Sequence, residues 1–164
     1  MSKEEKPVRP ANQRGSARLG AVQALYQMDV GGTSLGEVLE EFELYRLGKE
    51  IDDELYLPAD FSYFKELVSG VVREQRLLDP KINEALQKGW PLARIDQTMR
   101  AILRSGLYEV IFRKDVPVPV ILTEYVDVAK AFFEGDEPRM VNGVLDSLAR
   151  AVRSDEMKKK SQPE

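Results

Sequence analysis

Arginine and glutamine at helical spacing are the side chains here best suited to recognising another molecule. Gln97, Arg100 and Arg104 fall at i, i+3 and i+7, which puts two cations and an amide on one helical stripe. Arg14 and Arg18 stand one turn apart where an earlier helix opens. Cations at a helix start oppose the macrodipole and cost roughly a few tenths of a kcal/mol each. A phosphate backbone would offset that cost, although ordinary surface arginine accounts for the same residues. Tyr26, further along that helix, suits stacking on an unpaired base or packing in a core.

Side chains for catalysis are scarce. The 164 residues include no histidine and no cysteine, which removes the usual base near neutral pH, the commonest metal ligand and every thiolate. Glu40-Glu41-Glu43 and Asp52-Asp53-Glu54 are dense in carboxylate, but neither cluster has apolar neighbours to shift a pKa, and both read as solvated. The second lacks the glycine and spacing of an EF-hand loop. No phosphate-binding glycine loop, zinc-protease motif or nucleophile elbow occurs. The sequence therefore implies no enzyme, no catalytic residues, no metal and no cofactor.

Net charge is −4, distributed in blocks. Residues 37–66 carry three Lys/Arg against ten Asp/Glu, and residues 115–147 carry two against seven. Residues 73–114 reverse the balance, with nine basic against five acidic side chains. Such a chain offers one face to phosphate and another to a basic partner, unless the blocks are simply varied helix surfaces. The longest uncharged run, Leu19 to Met28, is ten residues, well short of the roughly 20 that span a bilayer. Composition thus argues for a cytosolic protein without a membrane segment.

The elements that position these side chains read as helices almost throughout. Residues 1–12 and 153–164 are polar and aperiodic and read as disordered arms flanking one domain over 13–152. Ala17, Ala21, Ala24, Leu25 and Met28 line one helix face, ended by Gly31-Gly32. Leu35, Val38, Leu39 and Phe42 line a second, and Lys49 to Asp60 reads as an acidic loop. Phe61, Phe64, Val68, Val71 and Val72 mark a third, with Asp60 as N-cap. Asp79-Pro80 reads as a cap and first helical residue opening a short fourth helix, closed by Gly89-Trp90-Pro91. A fifth runs from Asp96 to Phe112 with Met99, Ile102, Leu103, Gly106 and Val110 inward. The sixth is expected to bury Leu122, Val126, Ala129 and Phe133. Asp136 caps the last, which buries Val141, Val144, Leu145, Leu148 and Val152. Within it, Asn142-Gly143 reads as a site of close helix approach, with the amide satisfying a buried group. The expected fold is all-α, with about seven helices.

Several fragments together resemble the NusB family of bacterial transcription antitermination proteins. They are Ala17-Arg18 with Ala21-Val22-Gln23-Ala24-Leu25-Tyr26-Gln27, Ile102-Leu103-Arg104 with Leu107-Tyr108-Glu109, Val116-Pro117, Glu124 with Ala129-Lys130, and Val141-Asn142-Gly143-Val144-Leu145-Asp146. They run from about Arg14 to Arg150. The resemblance implies two packed helical subdomains without catalysis. It implies binding to boxA RNA of ribosomal RNA transcripts together with NusE, a small-subunit ribosomal protein, alongside other Nus factors and RNA polymerase. By position, Arg14, Arg18, Gln97, Arg104, Arg139 and Met140 would face RNA, with Arg100 added by the stripe. Tyr26, Glu124 and Asp136 would lie at the NusE surface. Gly15 and Ser16 interrupt a run that is often arginine-rich, and Met140 replaces a commonly aromatic residue, so RNA binding by the chain alone is expected to be weak. Some relatives dimerise, so a homodimer is also compatible with the resemblance. Similar domains occur fused to RNA cytosine methyltransferases, whose cofactor domain and nucleophile this chain lacks. A helical scaffold that binds only protein is the remaining alternative.

Overall fold

The structure, a computed structural model, describes residues 10–45, 50–51, 54–55, 58–87 and 95–154; side-chain surroundings are described for residues 13–44, 61–87 and 95–154. Among the described residues there are six helices: α1 (Pro10–Gly31), α2 (Leu35–Tyr45), α3 (Pro58–Gln87), α4 (Gln97–Phe112), α5 (Val118–Phe132) and α6 (Glu137–Val152). Two-residue strands β1 (Glu50–Ile51) and β2 (Glu54–Leu55) pair antiparallel within the acidic stretch expected to be a loop.

Local chemistry accounts for the starts of three helices. Proline suits the first turn of α1, where its missing N–H has no intrahelical acceptor. Pro10 to Asn12 therefore belong to α1 and not to the arm expected over 1–12, whose first nine residues lie outside the described ones. Ser34 accepts the Glu37 N–H through its hydroxyl at the start of α2. Asp96 does the same for Met99 at the start of α4. The Gly89-Trp90-Pro91 connection lies outside the described residues.

The expected third and fourth helices are one. Pro80 lies inside α3, and Asp79 is a mid-helix residue, not an N-cap. Asp60, expected as the N-cap of the third helix, is the third residue of α3, which starts at Pro58. A proline in a helix interior costs about 3 kcal/mol. Against it stands an unbroken buried stripe, with Phe64, Leu67 and Val71 before the proline and Leu78, Ile82 and Leu86 after it. Each such side chain contributes roughly 1.5–3 kcal/mol when buried, so packing outweighs the local signal. The merger reduces the expected seven helices to six.

Helix α4 is the spine. Every residue from Ala101 to Val110 is buried, and the helix touches α1, α3, α5 and α6. Helices α1, α2 and α3 pack together on one side and α5 pairs with α6 on the other, around one continuous apolar core. Two glycines permit the closest approaches: a Cβ on Gly70 would stand 2.2 Å from Tyr108 Cε2, and one on Gly106 would stand 2.7 Å from Leu145 Cδ1.

Three further expectations are corrected. The inward face of α5 is Val118, Ile121, Tyr125, Val128 and Ala129; Leu122, Val126 and Phe133 are only half-buried. Tyr125 turns inward because its hydroxyl finds buried partners on α4. Asn142 is exposed and satisfies no buried group; the close approach to α6 is at Gly106. Arg153, expected in a disordered tail, is buried, and its guanidinium donates to the carbonyls of Glu109, Val110, Arg113 and Val116, capping the end of α4.

Gly70→Ala is expected to destabilise the protein by about 1–3 kcal/mol through overpacking. Pro80→Ala, at an exposed position of the same helix, is expected to stabilise it by roughly 1 kcal/mol or more by restoring a helical hydrogen bond. Urea midpoints at unchanged slope check both.

Candidate nucleic-acid and partner interface

A cluster of charged side chains lies inside the molecule. Glu109 on α4 is fully buried and accepts from Arg18 Nε at 2.7 Å and Nη2 at 2.8 Å. The hydroxyls of Tyr63 (α3) and Tyr125 (α5) also donate to it. Tyr125 has one proton to give, so Ser105, 2.7 Å from its oxygen, is the donor in that contact. The third arm of Arg18, Nη1, reaches Glu124 at 2.8 Å. Burial alone would pull the Arg18 guanidinium down, but the Glu109 hydrogen bonds and charge outweigh it and hold Arg18 above its ordinary value. Burial pushes the Tyr63 and Tyr125 phenols up, and the Glu109 charge pushes them further.

A second buried arginine repeats the arrangement. Arg104 grips Asp79 of α3 side-on, Nε to Oδ1 at 2.8 Å and Nη2 to Oδ2 at 2.9 Å, while Nη1 reaches Asp29 of α1 at 2.9 Å. Arg18 and Arg104 are therefore internal ties and do not present cations to RNA, contrary to the expectation from their spacing. Met140 is likewise buried against the core and offers no stacking face. Glu124, expected on a partner surface, is half-buried and commits an oxygen to Arg18.

The other expected residues lie where another molecule can reach them. Gln97 and Arg139 are exposed, and Arg100 is half-buried with a long contact to Asn83. Arg14 is half-buried, its guanidinium 4.7 Å from the centre of the Tyr63 ring. Asp136 is exposed at the start of α6, followed by Glu137 in the first turn, where negative charge suits the helix dipole.

Tyr26 is 42% exposed and belongs to an open groove of about 540 Å³ between α1, α2, α4 and α5. Val22, Val30, Phe42, Thr98 and Phe132 line it with Tyr26. Val30 and Phe132 are large apolar side chains left exposed, and sequence reasoning passed over both. Their signal was faint: each lies in the last turn of its helix, outside the periodic face. An acidic group borders the groove, since Glu41 is bonded to the lining residue Gln27.

Comparison with known proteins gives this geometry a context. A profile of the NusB family matches residues 15–150. The chain belongs to the NusB family. It is 60% identical over 154 residues to the transcription antitermination protein NusB of Rhizobium meliloti (strain 1021), covering 94% of this chain and 96% of that one. Among solved structures, T. maritima NusB matches with a TM-score of 0.71 and 26% identity over 88% of this chain and 96% of that one. A crystal structure of antitermination factors NusB and NusE in complex with dsRNA matches with a TM-score of 0.69 and 29% identity, over 85% of this chain and 97% of that one. Transcription antitermination factors of this family are not a kind of protein known as enzymes. Among the described residues, no His/Cys/Asp/Glu group could hold a metal, and no helix is long and apolar enough to cross a membrane.

The buried phenols carry a pH dependence. In the unfolded chain a tyrosine loses its proton near pH 10, whereas in the folded chain Tyr63 and Tyr125 hold theirs to higher pH. The folded state thus retains protons that the unfolded state has lost, and stability falls as pH rises past about 10. Urea midpoints between roughly pH 8 and 11 should decline in this way, less steeply for Tyr63→Phe; a flat profile would contradict the assignment.

Proposed function

We propose that this NusB-family chain is a non-catalytic RNA-binding antitermination factor acting in the cytoplasm. It binds the boxA element of ribosomal RNA transcripts together with NusE and, with other Nus factors, helps RNA polymerase resist termination. The observation that carries this reading is the likeness to a NusB that was crystallised with NusE and dsRNA, at 29% identity over 85% of this chain. The chain's own surface fits it. Arg14, Gln97, Arg100 and Arg139 supply accessible donors for RNA, and phosphate contacts of this kind position the nucleic acid. The apolar groove at Tyr26, bordered by Glu41, together with Asp136, receives NusE, which as a ribosomal protein is basic.

The test is fluorescence anisotropy of labelled boxA RNA titrated with the chain alone and then with NusE. Selective binding over a scrambled RNA, tightened by NusE, is the expected result. Arg14→Ala with Arg139→Ala should weaken it and lower the log–log salt slope by roughly 0.7 for each phosphate no longer neutralised. No selectivity with NusE present would overturn the reading and leave a protein-binding scaffold.

A further inference from the structure

We propose that Arg104 is a positioning residue for the partner groove, acting through Asp29; this rests on the reading of that groove as the NusE surface. One guanidinium joins three helices, since Arg104 of α4 holds Asp79 of α3 and Asp29 of α1. Asp29 sits in the last turn of α1, where a carboxylate opposes the helix dipole and loosens the turn unless a cation offsets it. Arg104 is that cation. The residues flanking Asp29 are those that matter for docking: Tyr26 and Val30, spaced i and i+4, form one wall of the groove.

The same turn is tied a second time, because Gln27 Nε2 donates to Glu41 Oε2 of α2 at 2.8 Å. With residues 27 and 29 both held, the turn cannot rotate, and Tyr26 and Val30 keep their direction. Thr98, which also lines the groove, lies on α4 in its first turns, on the helix that carries Arg104. The guanidinium thus fixes the α1 wall relative to the α4 wall. A groove held open in this way spares the partner the cost of ordering it on binding. Lysine could not substitute, because a point charge cannot take one carboxylate side-on and a second end-on.

The experiment measures NusE affinity for the wild-type chain, Asp29→Asn, Asp29→Glu, Arg104→Lys and the Asp29→Asn/Arg104→Lys double variant. Affinity of each chain alone for boxA RNA and amide exchange over residues 26–31 accompany it. Asp29→Asn should weaken NusE binding about three- to tenfold, with RNA affinity unchanged. Asp29→Glu should recover most of the loss, and exchange over 26–31 should rise only in the variants that break the tie. The double variant should lose little more than either single one, whereas a direct Asp29–NusE contact would make the losses additive. Equal NusE affinity for wild type and Asp29→Asn, or additive losses, would overturn the proposal. Should Arg104→Lys fail to fold, the Asp29 variants still decide it. Failure of the groove reading itself looks different: the wild-type chain would not bind NusE, or Tyr26→Ala would leave binding unchanged.

Discussion

A carboxylate at the centre of a helical core must be matched, and the surroundings of Glu109 are arranged to do so. Its two oxygens take a side-on guanidinium from α1 and phenols from α3 and α5, while its own backbone belongs to α4. Removing one partner of such a buried pair costs about 3–5 kcal/mol, because the other charge is left uncompensated. Four of the six described helices therefore meet at one point that tolerates little rearrangement. Arg153 closes the same region from the far side by taking the carbonyls at the end of α4, Glu109's among them. The apolar core supplies most of the stability; this ionic layer restricts how α1, α3 and α5 can sit on the spine.

The arginines divide accordingly. Arg18, Arg104 and Arg153 are turned inward on carboxylates or carbonyls, and Arg14, Arg100 and Arg139 keep contact with solvent. Tyr63 links the two groups, with its hydroxyl on Glu109 and its ring under the Arg14 guanidinium. The surface cation in the second turn of α1 is thus set by the same buried carboxylate that anchors Arg18 one turn later. The sequence pattern puts both arginines at a helix start, which lies at Pro10 instead. The placement of α1, α3 and α5 and the seating of the Arg14 cation are consequences of one internal arrangement.

Much of the fold was legible in the sequence. Apolar spacing located α1, α2, α4 and α6, Gly31-Gly32 marked the end of α1, and Asp96 and Asp136 marked the starts of α4 and α6. Asp79-Pro80 misled because a strong local start signal was opposed by a buried stripe that runs past it, and packing decided. The face of α5 was misplaced because Tyr125 was not counted among apolar positions, although its hydroxyl is satisfied inside. Site residues were harder. The carboxylate that claims Arg18 lies 91 residues away, and those that claim Arg104 lie 25 and 75 away. No spacing rule along a helix shows such pairings, so buried and exposed arginines look alike in the sequence. Tyr26, Gln97 and Arg139 stay at the surface.

The division of the arginines is most directly tested by side-chain Nε–Hε spectra of the labelled protein, followed as boxA RNA and NusE are added. The Arg18 and Arg104 signals should be protected from exchange and stay in place throughout, while those of Arg14 and Arg139 shift on RNA addition. Movement of the Arg18 signal with RNA, or stationary Arg14 and Arg139 signals, would contradict the account.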